Sequence, residues 1–245
     1  MTRPNLYDYL KIIAIITMII DHIGYFFFPE MQWLRLIGRI AFPIFLFLVG
    51  FSWNYKRRRD LLIIAILVQI PITIVYRQWD NTRTLNILFS IIIARIFLSI
   101  YQKIDKHYIF IILICIFAWT SLYTNKWFDY WWFALLFPLL GYFFKIHKEK
   151  NIYKLLYSIS IFLLFLWYTT LTFWFTINET YILTLFFIFL LYTFFLLWQQ
   201  NYKINLSKKW DSIILRIAKN SLYIYIIHLL LLSSIKIFLS KEGKI

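Results

Sequence analysis

The sequence predicts an all-α fold, a polytopic integral membrane helix bundle of about nine transmembrane helices, with eight to ten compatible with the pattern. Three observations carry that prediction. Of the 245 residues, 62% are hydrophobic and only 15% are charged, with a mean hydropathy of +0.72. A soluble core absorbs much less. Aromatic residues make up 22%, and the Trp and Tyr among them favour the two membrane interfaces, where a ring is half wet. Finally, apolar runs recur along the whole chain and are separated by short basic loops. No internal repeat is evident, and residues 1–245 read as a single transmembrane domain.

A helix needs about 20 residues to cross a hydrocarbon core ~30 Å thick at ~1.5 Å per residue. Segments of that kind are expected near 8–28, 34–53, 60–76, 84–101, 108–123, 128–144, 154–175, 179–198 and 212–239. Those starting at 60, 84 and 108 are short, and the last is long enough to begin as an interfacial helix. No small-residue cleavage site precedes the first segment, which is therefore expected to stay in the membrane. The single cysteine, Cys115, lies inside an apolar run and reads as a small lipid-buried hydrophobe.

Charge orients the spans. There are 26 Lys and Arg against 11 Asp and Glu, a net +15, which in a soluble chain would point to nucleic acid. Here most of the cations sit in alternate loops: Lys56, Arg57, Arg58 and Arg59, then Lys103 and Lys106, then Lys145 to Lys154, then Lys203 to Lys219. The opposite loops hold only Arg35, then Arg77 and Arg83, then Lys126, with Lys241 and Lys244 at the far end. By the positive-inside rule the basic loops and the N-terminus face the cytoplasm, and the C-terminus lies outside. The lipid bilayer, and not nucleic acid, is the expected partner.

Charged side chains in hydrocarbon cost about 2.5–3.5 kcal/mol on insertion scales and face a bundle interior or a wet cavity. On the first span Asp8, Lys11 and His22 share a face at 3.6 residues per turn, and Asp21 points about 100° away from His22. Across a short outer turn Arg35, Arg39 and Pro43 follow at steps of four, which places them on one face of a second helix. Asp21 and Arg39 read as an ion pair fixing two neighbouring helices, and His22 as a hydrogen-bonded core histidine or a reactive one. His228 is the other intramembrane histidine. Gln69, Asn86 and Arg95 suit hydrogen bonds between helices. Lys56 to Arg59 read as an orientation signal beside anionic lipid, or as a cradle for coenzyme phosphates. No GxGxxG, Walker, HExxH, GxSxG or CxxC signature occurs, so soluble-type nucleotide and zinc chemistry have no support.

The stretch Asp8-Tyr-Leu-Lys11-Ile-Ile-Ala14-Ile-Ile-Thr17-Met18-Ile-Ile-Asp21-His22-Ile-Gly24, followed by Leu36-Ile-Gly38-Arg39-Ile-Ala41-Phe42-Pro43-Ile-Phe45, resembles the opening of the TraX family. Arg58 to Leu61, then Gln69-Ile-Pro71, then Asn86-Ile-Leu88-Phe89 resemble the next part of that pattern in order and spacing. The specific resemblance covers about residues 5–100. Asn220-Ser221-Leu-Tyr-Ile-Tyr-Ile-Ile-His228 is similar in a more general way to related membrane acyltransferases. The resemblance implies a polytopic acyltransferase that takes acetyl from cytoplasmic acetyl-CoA and delivers it to a peptide or glycan acceptor on the far side. In TraX the named activity is acetylation of a pilin N-terminus.

On that reading the catalytic set is His22, Asp21, Arg39, His228 and Asn86, and the coenzyme-binding set is Lys56, Arg57, Arg58, Arg59 and Lys11, with acetyl-CoA as donor and no metal. His22, with an unperturbed pKa of about 6.5, is placed to act as general base, and Arg39 to stabilise the tetrahedral oxyanion. Asn86 adds a donor, and His228 is a second base or a transient acetyl carrier. Acceptor and coenzyme would approach from opposite sides, which requires a tunnel. Two other classes compete. In a transporter or flippase the buried charges would line a path, although only 5 Gly and 5 Pro and no matching halves are present. In an assembly subunit they would be helix contacts only.

Overall fold

The computed structural model describes residues 4–52, 59–79, 85–103, 133–146, 151–173, 176–198 and 208–241. Among these the regular elements are all helices: α1 (Leu6–Phe27), α2 (Gln32–Gly38), α3 (Ala41–Phe51), α4 (Arg59–Trp79), α5 (Ile87–Tyr101), α6 (Phe133–Ile146), α7 (Asn151–Phe173), α8 (Ile177–Trp198), α9 (Lys208–Lys219) and α10 (Ser221–Lys241). The expected span near 108–123 lies outside the described residues. Leu6–Phe27, Gln32–Phe51, Ile177–Phe194 and Ser221–Ser240 are long and apolar enough to cross a membrane. Asp60–Ile74, Ile87–Tyr101, Leu135–Ile146 and Leu155–Thr170 are shorter apolar helices.

Helices α1 and α3 form the centre. α1 packs against α2, α3, α9 and α10, and α3 packs against α5 and, most extensively, α6. On one side α4, α5 and α10 close a core of Met18, Phe26, Ala41, Ala65, Val68, Leu88, Tyr225 and Leu229. On the other, α6, α7 and α8 close a core rich in phenylalanine. There Phe47 stacks on Phe194 at 3.7 Å between centroids, and Phe42 stacks on Phe165 at 5.9 Å. The outward faces are apolar too. α4 turns Leu62, Ile63, Ile66, Leu67, Ile70 and Ile74 outward, and α7 turns Leu155, Leu156, Leu163 and Trp167 outward. Helices apolar on both faces need lipid around them, and the chain is a helical membrane protein.

Two departures from the expected spans have physical causes. The second span is not one straight helix: α2 ends at Gly38 and α3 starts at Ala41, with Ile40 N–H donating to Ile37 O, a tighter i−3 bond. Pro43 explains the break, since its ring has no N–H to donate and crowds the carbonyl four residues back, that of Arg39. Arg35, Arg39 and Pro43 therefore do not lie on one continuous helix. The last segment divides at Asn220 into the short amphipathic α9 and the apolar α10, as its length allowed. α9 buries Asp211, Ile214 and Ala218 against the bundle while Trp210, Ser212, Arg216 and Lys219 stay exposed.

Close approach of backbones needs glycine at the α3–α6 crossing. A Cβ on Gly50 would overlap the carbonyl of Pro138, and one on Gly141 the carbonyl of Phe47. Small residues let helices in lipid touch along their backbones, where dispersion replaces the missing hydrophobic drive.

Candidate functional site

α1 supplies two neighbouring polar residues to two different neighbours. Because successive helix residues diverge by about 100°, Asp21 faces α2 while His22 faces α10. Asp21 Oδ2 pairs with Arg35 Nη1 at 3.2 Å, and Asp21 Oδ1 with Arg39 Nη2 at 3.4 Å. Arg35 Nη1 also donates to the Asp21 carbonyl, and Arg39 Nε to the Arg35 carbonyl. Gly38 permits this contact, for a Cβ there would overlap the Asp21 side chain. Thus Asp21 holds two guanidiniums and does not orient its neighbour His22.

The partner of His22 is His228, 206 residues away, with Nε2 of His228 2.9 Å from Nδ1 of His22. The other ring nitrogen of His228, Nδ1, lies 2.9 Å from the Ile224 carbonyl. A carbonyl only accepts, so His228 Nδ1 carries hydrogen. In the neutral ring Nε2 then has the lone pair and is placed to accept from His22 Nδ1–H, and His22 also hydrogen-bonds the Met18 backbone. By this accounting His22 Nε2 is left as the basic nitrogen of the pair. Tyr225, one turn before His228, sits beside both rings, 6.5 Å from His22 and 5.7 Å from His228 between centroids.

The register around this dyad is fixed at a second point. Lys11 Nζ donates to the Ala218 carbonyl at 3.4 Å, a separation of 207 residues. Offsets of 207 and 206 at points eleven residues apart on α1 mean that the α1 and α9–α10 strands of chain run parallel. Lys11 caps the carbonyl end of α9 and lies 4.5 Å from the Tyr7 ring centroid. Asp8 closes a capping box with Asn5 at the start of α1.

A cavity of about 120 Å³ adjoins Asp21, His22, Tyr25, Arg35, Arg39, Asn86 and Tyr225. A second, of about 210 Å³, adjoins Tyr7, Lys11, Ser52, Arg95 and Ser221 nearer the start of α1. Met18, Phe45, Ile87 and Tyr225 line both. Asn86 caps α5 by accepting from Leu88 N–H, and its amide donates to Ala65 O at 2.9 Å and to Gln69 Oε1 at 3.0 Å. That interhelical role matches the reading of Gln69 and Asn86 from sequence. Both amide hydrogens have partners, so donation to a reacting oxygen would first displace one of them. Lys56, Arg57 and Arg58 lie outside the described residues, and of Arg59 only the backbone at the start of α4 is described.

So the structure brings Asp21, His22, Arg39 and Asn86 around one cavity, with His228 behind them, joined to His22. Sequence reasoning did not place Arg35, Tyr25 or Tyr225 in the site. The spacing of Tyr225, three residues before His228, and of Arg35, four before Arg39, held the signal.

Comparison with known proteins adds a lineage. A family profile described as TraX protein matches residues 7–236. The chain belongs to the TraX family. The TraX match runs far beyond the first hundred residues and takes in His228 as well as His22. A protein of Rickettsia prowazekii (strain Madrid E), described as uncharacterized, is 30% identical over 250 residues, covering 96% of this chain and 94% of its own. No solved structure matches this TraX-family chain.

Proposed function

We propose that this TraX-family protein is a membrane-embedded acyltransferase that moves acetyl from cytoplasmic acetyl-CoA to an amine or hydroxyl of an extracytoplasmic acceptor. The N-terminus of a pilin-like peptide is one such acceptor. The observation that carries the reading is the His22–His228 contact at 2.9 Å beside the Asp21–Arg39 pair. It supplies a base and a fixed cation at one cavity, the two groups that acyl transfer asks of a protein.

In the proposed reaction His22 Nε2 removes the proton from the attacking amine or hydroxyl. The nucleophile bonds to the acetyl carbon, and the carbonyl oxygen becomes an oxyanion facing the Arg39 guanidinium. Collapse breaks the carbon–sulfur bond, the product is the acetylated acceptor, and the thiolate recovers the proton from the imidazolium. His228 shares the charge through the Nδ1–Nε2 hydrogen bond. Both of its ring nitrogens have partners, which favours a supporting role over that of acetyl carrier.

The two cavities, separated by the shared wall of Met18, Phe45, Ile87 and Tyr225, support entry of the coenzyme arm from the N-terminal end of α1. Lys11 and His22 are eleven residues apart, about 16 Å along the helix. We assign the N-terminus of α1 and the basic loops to the cytoplasmic side of the bacterial cytoplasmic membrane. Parallel α1 and α10 require an odd number of crossings, and nine is the proposed count.

The test compares unfolding temperatures of the detergent-purified protein with acetyl-CoA, CoA and ATP, since a ligand that binds the folded state raises them. Stabilisation by both coenzyme forms and not by ATP is expected. Absence of any shift at saturating acetyl-CoA would overturn the reading and favour transport, to be measured in liposomes.

A further inference from the structure

Each of the four side chains that line both cavities comes from a different helix: Met18 from α1, Phe45 from α3, Ile87 from α5 and Tyr225 from α10. On α1, α3 and α10 the other lining residues divide on either side of the shared one. α1 gives Lys11 to the larger cavity and His22 to the smaller, α3 gives Ser52 and Phe42, and α10 gives Ser221 and Leu229. The cavities are therefore stacked end to end along the bundle, and α6, α7 and α8 contribute to neither. From Tyr7 in the larger cavity to Phe26 in the smaller, the stack follows α1 for about 28 Å, close to the ~30 Å of a hydrocarbon core.

Both cavities have polar walls, Lys11, Ser52 and Ser221 in one and Asp21, His22 and Asn86 in the other. Spaces of about 210 and 120 Å³ with such groups around them hold several water molecules each. The layer between is different. Met18, Phe45 and Ile87 carry no side-chain N–H or O–H, and Met18 and Tyr225 are 5% and 6% exposed. An apolar constriction between two wet spaces excludes water, and ions and protons stop where the water stops. The layer also adjoins the histidine pair: Met18 lies one turn before His22 and Tyr225 one turn before His228, so the His22–His228 contact ties α1 to α10 beside it.

We infer that Met18, Phe45, Ile87 and Tyr225 form a dry gate across an axial passage, and that this single layer of side chains keeps the two sides of the membrane apart within the protein. The inference rests on the stacking of the cavities and not on acyl chemistry, since a coenzyme arm and a transported solute would both have to part the same four side chains.

The test uses the whole protein in phosphatidylcholine liposomes filled with the pH-sensitive dye pyranine, without coenzyme. Proton entry is driven by an inside-negative potassium potential set with valinomycin. Liposomes with the native protein are expected to be as tight as liposomes without protein. Phe45→Ala widens the layer, Met18→Gln makes it polar at nearly the same volume, and each is expected to raise proton entry about tenfold or more. Phe187→Ala removes the same kind of ring from the phenylalanine core, where it packs on Phe162 and Phe165 away from both cavities, and should stay tight. Met18→Gln carries the test if Phe45→Ala does not fold. Faster entry in either gate variant, with the native and Phe187→Ala proteins tight, supports the gate. Unchanged entry in both gate variants, equal entry in Phe187→Ala, or a leak through the native protein overturns it. Because no coenzyme is present, this result and the acetyl-CoA unfolding test succeed or fail separately.

Discussion

The carbonyl of Ile224 decides the chemistry of two residues. By accepting from His228 Nδ1 it leaves His228 Nε2 to accept from His22, and so leaves His22 Nε2 basic. Replacing His22 with Ala should lower acetyl transfer by about 10²–10⁴, the usual contribution of a general base. Replacing His228 should cost less, and the double variant no more than His22→Ala alone, because groups acting as a unit are not additive. Rates of single-turnover transfer would check both. Asp21→Asn tests the other half of the site. Weakening its two charge-assisted bonds should destabilise the fold by about 1.5–3 kcal/mol per bond, read from thermal unfolding in detergent, and should loosen Arg39 as well. Asp21 with Arg39 was legible in the sequence because two opposite charges stood in apolar runs on either side of a short turn. His22 and His228 each stood out as polar residues in hydrocarbon. Their contact was not legible, because no local pattern relates residues 206 apart.

Among the elements, the bent second span shows where periodicity falls short. Hydropathy runs evenly through Gln32–Phe51, and counting in fours places Arg35, Arg39 and Pro43 on one stripe. That count ignores what Pro43 does to the carbonyl of Arg39, which is to end one helix and begin another. A division of the last segment was foreseeable from its length, and its break at Asn220 leaves Lys219 and Arg216 exposed on the short amphipathic α9. Two predictions belong here. Gly50→Val should prevent α3 from meeting α6 and abolish a sharp unfolding transition, since the neighbour it strikes is the backbone of Pro138 and cannot rotate away. Asn86→Ala should cost about 1 kcal/mol for the lost cap and more for the lost amide bonds to Ala65 O and Gln69 Oε1, seen as a lower unfolding temperature.

For the molecule as a whole, composition and loop charge predicted a helical membrane protein, and the lipid-facing isoleucines and leucines of α4 and α7 agree. Sidedness is open to direct measurement. In a Cys115→Ser background, a cysteine at Glu30 should react with a membrane-impermeant maleimide on intact cells. One at Lys103 or Lys219 should react only after the cells are opened. Labelling in the opposite order would invert the topology and place the coenzyme entry on the wrong side.

The parallel pairing of α1 with α10 also bears on how the protein is made. His22 enters the membrane with the first helix and His228 with α10, after every other described helix has been threaded. The His22–His228 contact therefore cannot form before the chain has been extended through α10. A product stalled or cut before α10 would carry the Asp21–Arg39 pair, yet lack the His228 ring that His22 meets. Among the described helices this contact is the last to be completed.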